Sequence, residues 1–525
     1  MNRARHDRNY DLHSWTGVTL GLFVFVVCFS GCIALFHHEM LAWEDPAKRI
    51  TLAQSPAPFD DTLTAWTDAL ETGGDIEILN IGFPTVYEPY YQAFGRVRGA
   101  DGRDADHVAR WHPASLDRLP SRADGMAQWL YDFHRDLMWP AALGGRTVGR
   151  ALVGVAGVIL ILSIVTGVVA HTKIREELFS LRYLRSVRLK WQDTHKVLGL
   201  WGLPFYAMIA FSGAFLGIVA LLAPIIAVLA FKGDQEALID AVVGEPPAAV
   251  GIAAPMLSVD DIAAMRHPES GHAPLYMVAH HWGDRAATFD VYFSPDTELK
   301  TVEAVSVSGV SGAPVRNPAA AADTPANRVV GAVTPLHYGT YGGIALKALY
   351  FLLGIALAVI TVMGIMMWIE RRLHGKEGKR GRRFYRRLSR LVVGVCMGVV
   401  AASAGLFVHN VLYAGAEASR MAWTGWTYFA IWFAAIGYAF LRGNEYRAAT
   451  ELLAASGAAL IVAVMLNGAM TDHPVWAGLG GADHAPTAWT DGCLLALGAI
   501  GLGLSAALPK RRPEARHRTR LAPSS

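Results

Sequence analysis

The sequence predicts a mainly α-helical, polytopic membrane protein of about eight transmembrane helices, with two small α+β domains inserted in a duplicated two-helix unit. Three observations predict it. The 525 residues are 53% hydrophobic and 17% charged, and the apolar residues gather in uninterrupted runs of roughly 20, the length that crosses a bilayer. Lys and Arg cluster in short segments beside alternate runs. His13, Gly17 and Ser30-Gly31 recur, at the same spacing, as His195, Gly199 and Ser212-Gly213.

The apolar runs read as helices over about 15–37, 148–170, 197–231, 344–369, 391–413, 421–441, 450–470 and 486–508. Basic residues orient them, because Lys and Arg beside a span resist translocation. Arg3, Arg5 and Arg8 precede the first span, and Lys173, Arg175, Arg182, Arg185, Arg188 and Lys190 lie between the second and third. A dense basic run fills Arg371 to Arg390, Arg442 and Arg447 follow the sixth span, and Lys510 to Arg520 close the chain. In an eight-span arrangement all of these fall on one side, so that side is expected to be cytoplasmic, with the N- and C-termini on it. The net charge of +3 thus reflects topology and calls for no nucleic-acid partner. The first span is too long for a typical signal-peptide core and no small-residue cleavage site follows it, so it reads as an uncleaved anchor. Cys28, Cys32, Cys396 and Cys493 all fall inside predicted spans, which leaves the outer segments without a disulfide and makes the thiols packing residues.

The organisation follows in order: an N-terminal segment and first span (1–39), an outer domain (40–133), spans two and three around a basic loop (134–231), a second outer domain (232–336), span four (337–372), a basic loop (373–390), a four-span C-terminal module (391–508) and a basic tail (509–525). Both outer segments carry strand-like alternation broken by turns. Tyr91 to Val97 runs into Ala100-Asp101-Gly102; Leu275 to Val278 precedes the turn His281-Trp282-Gly283-Asp284 and then Thr288 to Phe293. Each hairpin closes on a Pro-initiated turn, at Pro113 and at Pro295. The stretch 304–328, rich in Ala, Pro, Ser and Gly, reads as a linker. The repeat unit is therefore histidine, span, small domain, histidine, span, over about 10–171 and again over about 192–369. Both copies begin on the same side, so they should be related by a pseudo-two-fold axis along the membrane normal.

The second pair of histidines is His134 and His337, each followed by a glycine doublet (Gly144-Gly145, Gly342-Gly343) and a span. Symmetry then places His13 with His195 on the cytoplasmic tier and His134 with His337 on the outer tier. Paired imidazoles on facing helices are what two haems require. Zinc is disfavoured because neither Cys nor carboxylate accompanies the histidines at ligand spacing. His171, whose counterpart is Trp368, is a third candidate for the cytoplasmic tier. His280 and His281 are held in reserve for metal or substrate, and His37, His38, His107, His112, His272, His409, His473 and His484 are left to local structure. The sequence carries no Walker motif, no iron–sulfur cysteine cluster, no dinucleotide fold and no CxxCH for covalent attachment. Any haem would be the noncovalent b type, and electrons would come from quinol or a separate cytoplasmic donor.

Leu12-His13-Ser14-Trp15-Thr16-Gly17, Phe133-His134-Arg135-Asp136-Leu137, Val165 to Ile174, Asp193-Thr194-His195-Lys196-Val197-Leu198-Gly199 and Leu336-His337-Tyr338-Gly339 resemble, in order and spacing, the PepSY-associated transmembrane proteins. These are also described as iron-regulated membrane proteins and include ferric siderophore reductases. The resemblance covers about residues 10–372. It implies PepSY-like periplasmic domains, two haem b groups bound among His13, His134, His171, His195 and His337, and outer-sphere reduction of a periplasmic ferric siderophore or other ferric chelate to release Fe(II). No side chain then acts as nucleophile, acid or base. Competing readings are a haem b subunit serving another periplasmic acceptor, a haem-free regulator or chaperone, and a siderophore permease. The four C-terminal spans go beyond the family pattern.

Overall fold

A computed structural model describes residues 3–50, 56–99, 102–120, 125–171, 174, 179, 187–234, 237–238, 248–294, 299, 303–315, 325–373, 375, 379–471 and 485–510. His473, His484, the turn after Pro295, part of the linker, most of the basic segment 172–186 and the basic tail lie outside these residues.

The first copy runs α1 (Arg3–Ala34), α2 (His37–Glu44), α3 (Asp60–Glu71), β1 (Asp75–Gly82), β2 (Tyr91–Arg98), β3 (Asp104–Trp111), α4 (Met126–Asp136) and α5 (Gly145–Ala170). The second runs α6 (Val187–Trp201), α7 (Leu203–Ala230), α8 (Val259–Ala264), β4 (Pro274–His280), β5 (Thr288–Phe293), β6 (Glu303–Ser308), α9 (Pro325–Tyr338) and α10 (Gly343–Leu373). The C-terminal module is α11 (Lys379–Leu412), α12 (Arg420–Arg442), α13 (Glu445–Met470) and α14 (Ala485–Ala507). Among the described residues seven helices are long and apolar enough to cross a membrane, and α6 with α7 make an eighth crossing if taken as one span. The protein is a multi-pass membrane protein.

That eighth crossing corrects the expectation of an unbroken helix over 197–231, because α6 and α7 meet at 69°. The break falls at Gly202-Leu203-Pro204, where Pro204 lacks the N–H that would continue the helix. Tyr206 packs against Gly202 so closely that a Cβ there would lie 2.1 Å from the tyrosine ring. In α1 the equivalent stretch is Leu20-Gly21-Leu22, without proline, and the helix runs on.

The two outer domains are not separate. Their strands form one antiparallel sheet in the order β3-β2-β1-β4-β5-β6. β1 pairs with β4 from Ile78 opposite His280 to Gly82 opposite Tyr276, so the joint between the copies is the middle of the sheet. A three-stranded sheet alone would expose β1 as an open edge, and pairing with its own counterpart satisfies those backbone groups. The inner face buries Leu79, Ile81, Met277, Phe289 and Phe293 with Leu63 and Trp66 of α3. The helices are tied reciprocally. Asp60 accepts from the Val259 N–H at 2.6 Å and from the Ser258 hydroxyl, while Asp260 accepts from the Phe59 N–H at 2.8 Å.

In the bundle, small residues set the closest approaches. A Cβ on Gly217 of α7 would meet Gly154 of α5 at 2.5 Å, and one on Gly354 of α10 would meet the Cys32 sulfur of α1 at 2.6 Å. All four cysteines are free thiols, and Cys32 is the packing residue the sequence suggested. Asp60→Ala and Asp260→Ala should each weaken the joint between copies by about 0.5–2 kcal/mol. Hydrogen exchange at Val259 and Phe59 respectively should quicken, with exchange in α11–α14 unchanged.

Candidate functional site

Four of the predicted histidines meet in two pairs. The rings of His134 on α4 and His337 on α9 have centroids 6.2 Å apart and planes 12° from parallel. Those of His13 on α1 and His195 on α6 are 6.3 Å apart at 74°. Metal–imidazole bonds of about 2.0 Å place the centres of two rings on opposite sides of one ion roughly 6 Å apart. Both pairs stand at that separation. Gly31, which seats the His134 ring, lies eighteen residues beyond His13 on α1, so the tiers are separated by about 27 Å along that helix.

Each ring is held through Nδ1, three by a backbone carbonyl and His337 by a hydroxyl. His13 Nδ1 lies 2.9 Å from the Ser163 carbonyl of α5, and His195 Nδ1 lies 3.0 Å from the Ile360 carbonyl of α10. His134 Nδ1 lies 3.1 Å from the Val27 carbonyl of α1, with the Ser30 hydroxyl at 3.3 Å, and His337 Nδ1 lies 3.0 Å from the Ser212 hydroxyl of α7. A carbonyl accepting from Nδ1–H fixes the neutral tautomer and leaves Nε2 as the ligating nitrogen.

Each ring also rests on a glycine of the helix that holds it. A Cβ would lie 2.8 Å from His134 Cε1 if built on Gly31, 3.1 Å from His337 Cε1 on Gly213, 3.1 Å from His13 Cε1 on Gly167 and 3.3 Å from His195 Cε1 on Gly364. The repeated Ser-Gly pair thus works as a hydroxyl and a seat for the histidine of the same copy. Gly17 and Gly199, one turn beyond His13 and His195, face open space where a Cβ meets nothing within 4 Å. This leaves room beside both rings.

His171 is not one of the two rings that face each other at 6.3 Å on its tier. It is the half-buried C-cap of α5, and the facing rings on its tier are His13 and His195. Its counterpart Trp368 packs edge-on against Trp15 at 5.9 Å. His280 is held in the sheet by Asp290 at 3.0 Å. Among the described residues no group of three or more His, Cys, Asp and Glu side chains converges as a metal site, so each tier offers two nitrogens. That suits an ion whose other positions a macrocycle fills.

Sequence reasoning missed Gly167 and Gly364, although they stand four residues before the aligned pair His171 and Trp368. It also left His37 to local structure. The rings run in succession from His337 to Tyr338 (5.7 Å), Tyr131 (6.4 Å), His37 (4.7 Å), His38 (5.4 Å) and exposed Tyr87 (6.0 Å). The Tyr131 and Tyr338 hydroxyls are 2.9 Å apart. Burial pushes the His37 imidazole down to about 4, so it is neutral near pH 7.

The C-terminal module supports the sheet-side tier. Trp129 and Phe133 of α4 pack on Tyr428, Phe429 and Trp432 of α12. Trp43 of α2 donates to Asp491 of α14 at 2.7 Å, and Arg49 donates to Asn467 at 2.9 Å and Thr471 at 2.7 Å. Helix α4, which carries His134, is packed between α1 and this module.

These features define a duplicated membrane bundle whose two copies face each other through paired imidazoles. The sequence matches the PepSY-associated TM region over residues 10–371, and the chain belongs to that family. It is 28% identical over 331 residues to "Uncharacterized protein PA4219" of Pseudomonas aeruginosa, an alignment covering 60% of this chain and 82% of that protein. The family match ends before α11. Gly31→Val and Gly213→Val should displace the sheet-side rings, and Gly167→Val and Gly364→Val the other pair. The imidazole 15N resonances of the displaced pair should shift in each variant; unchanged resonances in all four would refute the seats.

Proposed function

We propose that the protein is a di-haem b reductase of the bacterial inner membrane that passes electrons across the bilayer to a periplasmic ferric siderophore or other ferric chelate. The observation that carries this reading is the pair of imidazole tiers, each spaced for one metal ion and together separated by most of the membrane thickness. The basic segments support an orientation with termini cytoplasmic and the sheet periplasmic. His13 and His195 then lie toward a quinol or cytoplasmic donor, and His134 and His337 toward the acceptor.

The four histidines are the residues that would hold the haems. When bound, haem supplies reversible one-electron chemistry whose potential is set by axial ligands, burial and hydrogen bonding. The chain's own task is orientation. The carbonyls on Nδ1 of His13, His134 and His195 hold neutral imidazoles with little freedom to turn, and buried apolar neighbours exclude water. Val24, Val27, Leu160 and Leu357 belong to that wall beside His134 and His337. The rings from Tyr338 to Tyr87 give a packed route from the buried tier to the surface beside the sheet. Reduction suits iron release because the hard oxygen ligands of a siderophore hold Fe(II) less tightly than Fe(III).

Purified protein should show the Soret and α bands of haem b, and stopped-flow mixing of the dithionite-reduced form with ferric chelates should reoxidise it. His134→Ala and His337→Ala should each remove one haem and abolish that reoxidation while the other haem remains. A protein without bound haem, or a reduced protein inert to every ferric chelate tried, would sink the proposal. The ring planes give a separate check. Near-parallel imidazoles split the iron d orbitals that interact with the rings, and near-perpendicular ones leave them close in energy. Electron paramagnetic resonance of the oxidised protein should show two distinct low-spin signals, and His134→Ala should remove the more rhombic.

A further inference from the structure

Between α1, α5, α7 and α10 lies a cavity of about 330 Å³ that reaches both His134 and His337. Its walls are largely apolar, with Val24, Leu160, Phe205 and Leu357 among them. The wall also holds Tyr131 and Tyr338, joined hydroxyl to hydroxyl, with the Arg135 guanidinium 5.4 Å over the Tyr131 ring and Arg150 as the second cation. The two arginines differ in what they are given. Arg135 is held by Asp132 at 2.7 Å and Asp136 at 3.0 Å, both buried carboxylates. Arg150 Nε is buried and, among the described residues, finds no hydrogen-bond partner. An unmatched guanidinium N–H beside an apolar wall is costly, and an anionic oxygen is the group that relieves it.

The duplication sharpens the point. Arg150 stands in α5 where Lys347 stands in α10, at the same separation that relates Gly157 to Gly354 and Gly167 to Gly364. Lys347 is neutralised by an ion pair with Glu39 and lies 5.7 Å over the Phe36 ring. Of two symmetry-related cations, one is spent within the protein and the other keeps an N–H unmatched. A two-fold cavity would take a flat ligand equally well in two orientations; this one presents a carboxylate-binding group on one side.

Resting on the di-haem reading, we propose that Arg150 is the anchor for a propionate carboxylate of the sheet-side haem, and that it fixes which way round the macrocycle sits between His134 and His337. Arg150 is a positioning residue: it touches the cofactor's rim and leaves the iron to the histidines.

The test uses the full chain isolated from haem-limited cells and titrated with haem b or with its dimethyl ester, whose carboxylates are blocked. One of the two sites of the wild type should prefer the free acid by about tenfold to a hundredfold, the range expected for losing one charge-assisted hydrogen bond. Arg150→Gln should lose that preference and Arg150→Lys should keep part of it. In Arg150→Gln the sheet-side haem should also have a lower reduction potential, since a cation beside it is gone. Equal affinity of both wild-type sites for the two forms overturns the proposal without touching the di-haem reading, and this arm needs no variant to fold. Failure of the wild type to take up either form overturns both.

Discussion

An imidazole can serve as a fixed ligand only if its second nitrogen is committed elsewhere, and in this protein three histidines commit Nδ1 to a carbonyl of a neighbouring helix and the fourth, His337, to a serine hydroxyl. Reaching a helix backbone demands that the ring come closer than a side chain would permit. The glycines at 31, 167, 213 and 364 allow that approach. Helix order, the seats and the pairing all follow from this contact, because the helix that holds each ring must be the span of its own copy. Moving one helix by a turn would present the ring with a side chain instead of a seat.

The symmetric frame is then made unequal. Pro204 breaks the third span where the first runs straight, Thr166 lies near His13 while Met363 occupies the matching place in α10, and Arg150 and Lys347 meet different partners. Under the proposed function such departures would give electron transfer a direction, since two identical sites in identical surroundings would give none. The ring planes, 12° in one tier and 74° in the other, express the same inequality at the histidines themselves.

The C-terminal module gains a structural account from its contacts. Helix α4 is amphipathic and only eleven residues long, too short to hold His134 steady by itself. Its apolar side, Met126, Trp129, Leu130 and Phe133, is buried and shared between α1 and the aromatic side chains of α12. Stacked and edge-on aromatic pairs of this kind add about 0.5–1.5 kcal/mol each beyond burial. Helix α9, which carries His337, is held through Tyr338, whose hydroxyl meets that of Tyr131 of α4, and through the Leu336 carbonyl, which accepts from Tyr350 of α10 at 3.0 Å.

Much of this was legible in the residues. Twenty-residue apolar runs fix the membrane spans because a bilayer leaves the backbone no other way to satisfy its hydrogen bonds, and a repeat with constant spacing fixes which histidines are equivalent. The pairs His13/His195 and His134/His337 were therefore available from periodicity alone. What periodicity left open was whether His171 displaced His13, since both sit at the same depth and only helix rotation separates them. The joining of two domains into one sheet, the glycine seats and the unmatched Nε of Arg150 depend on side chains and strands far apart in the chain. They were decided by packing, because close approach between helices is a property of two surfaces at once and no single stretch of sequence contains it.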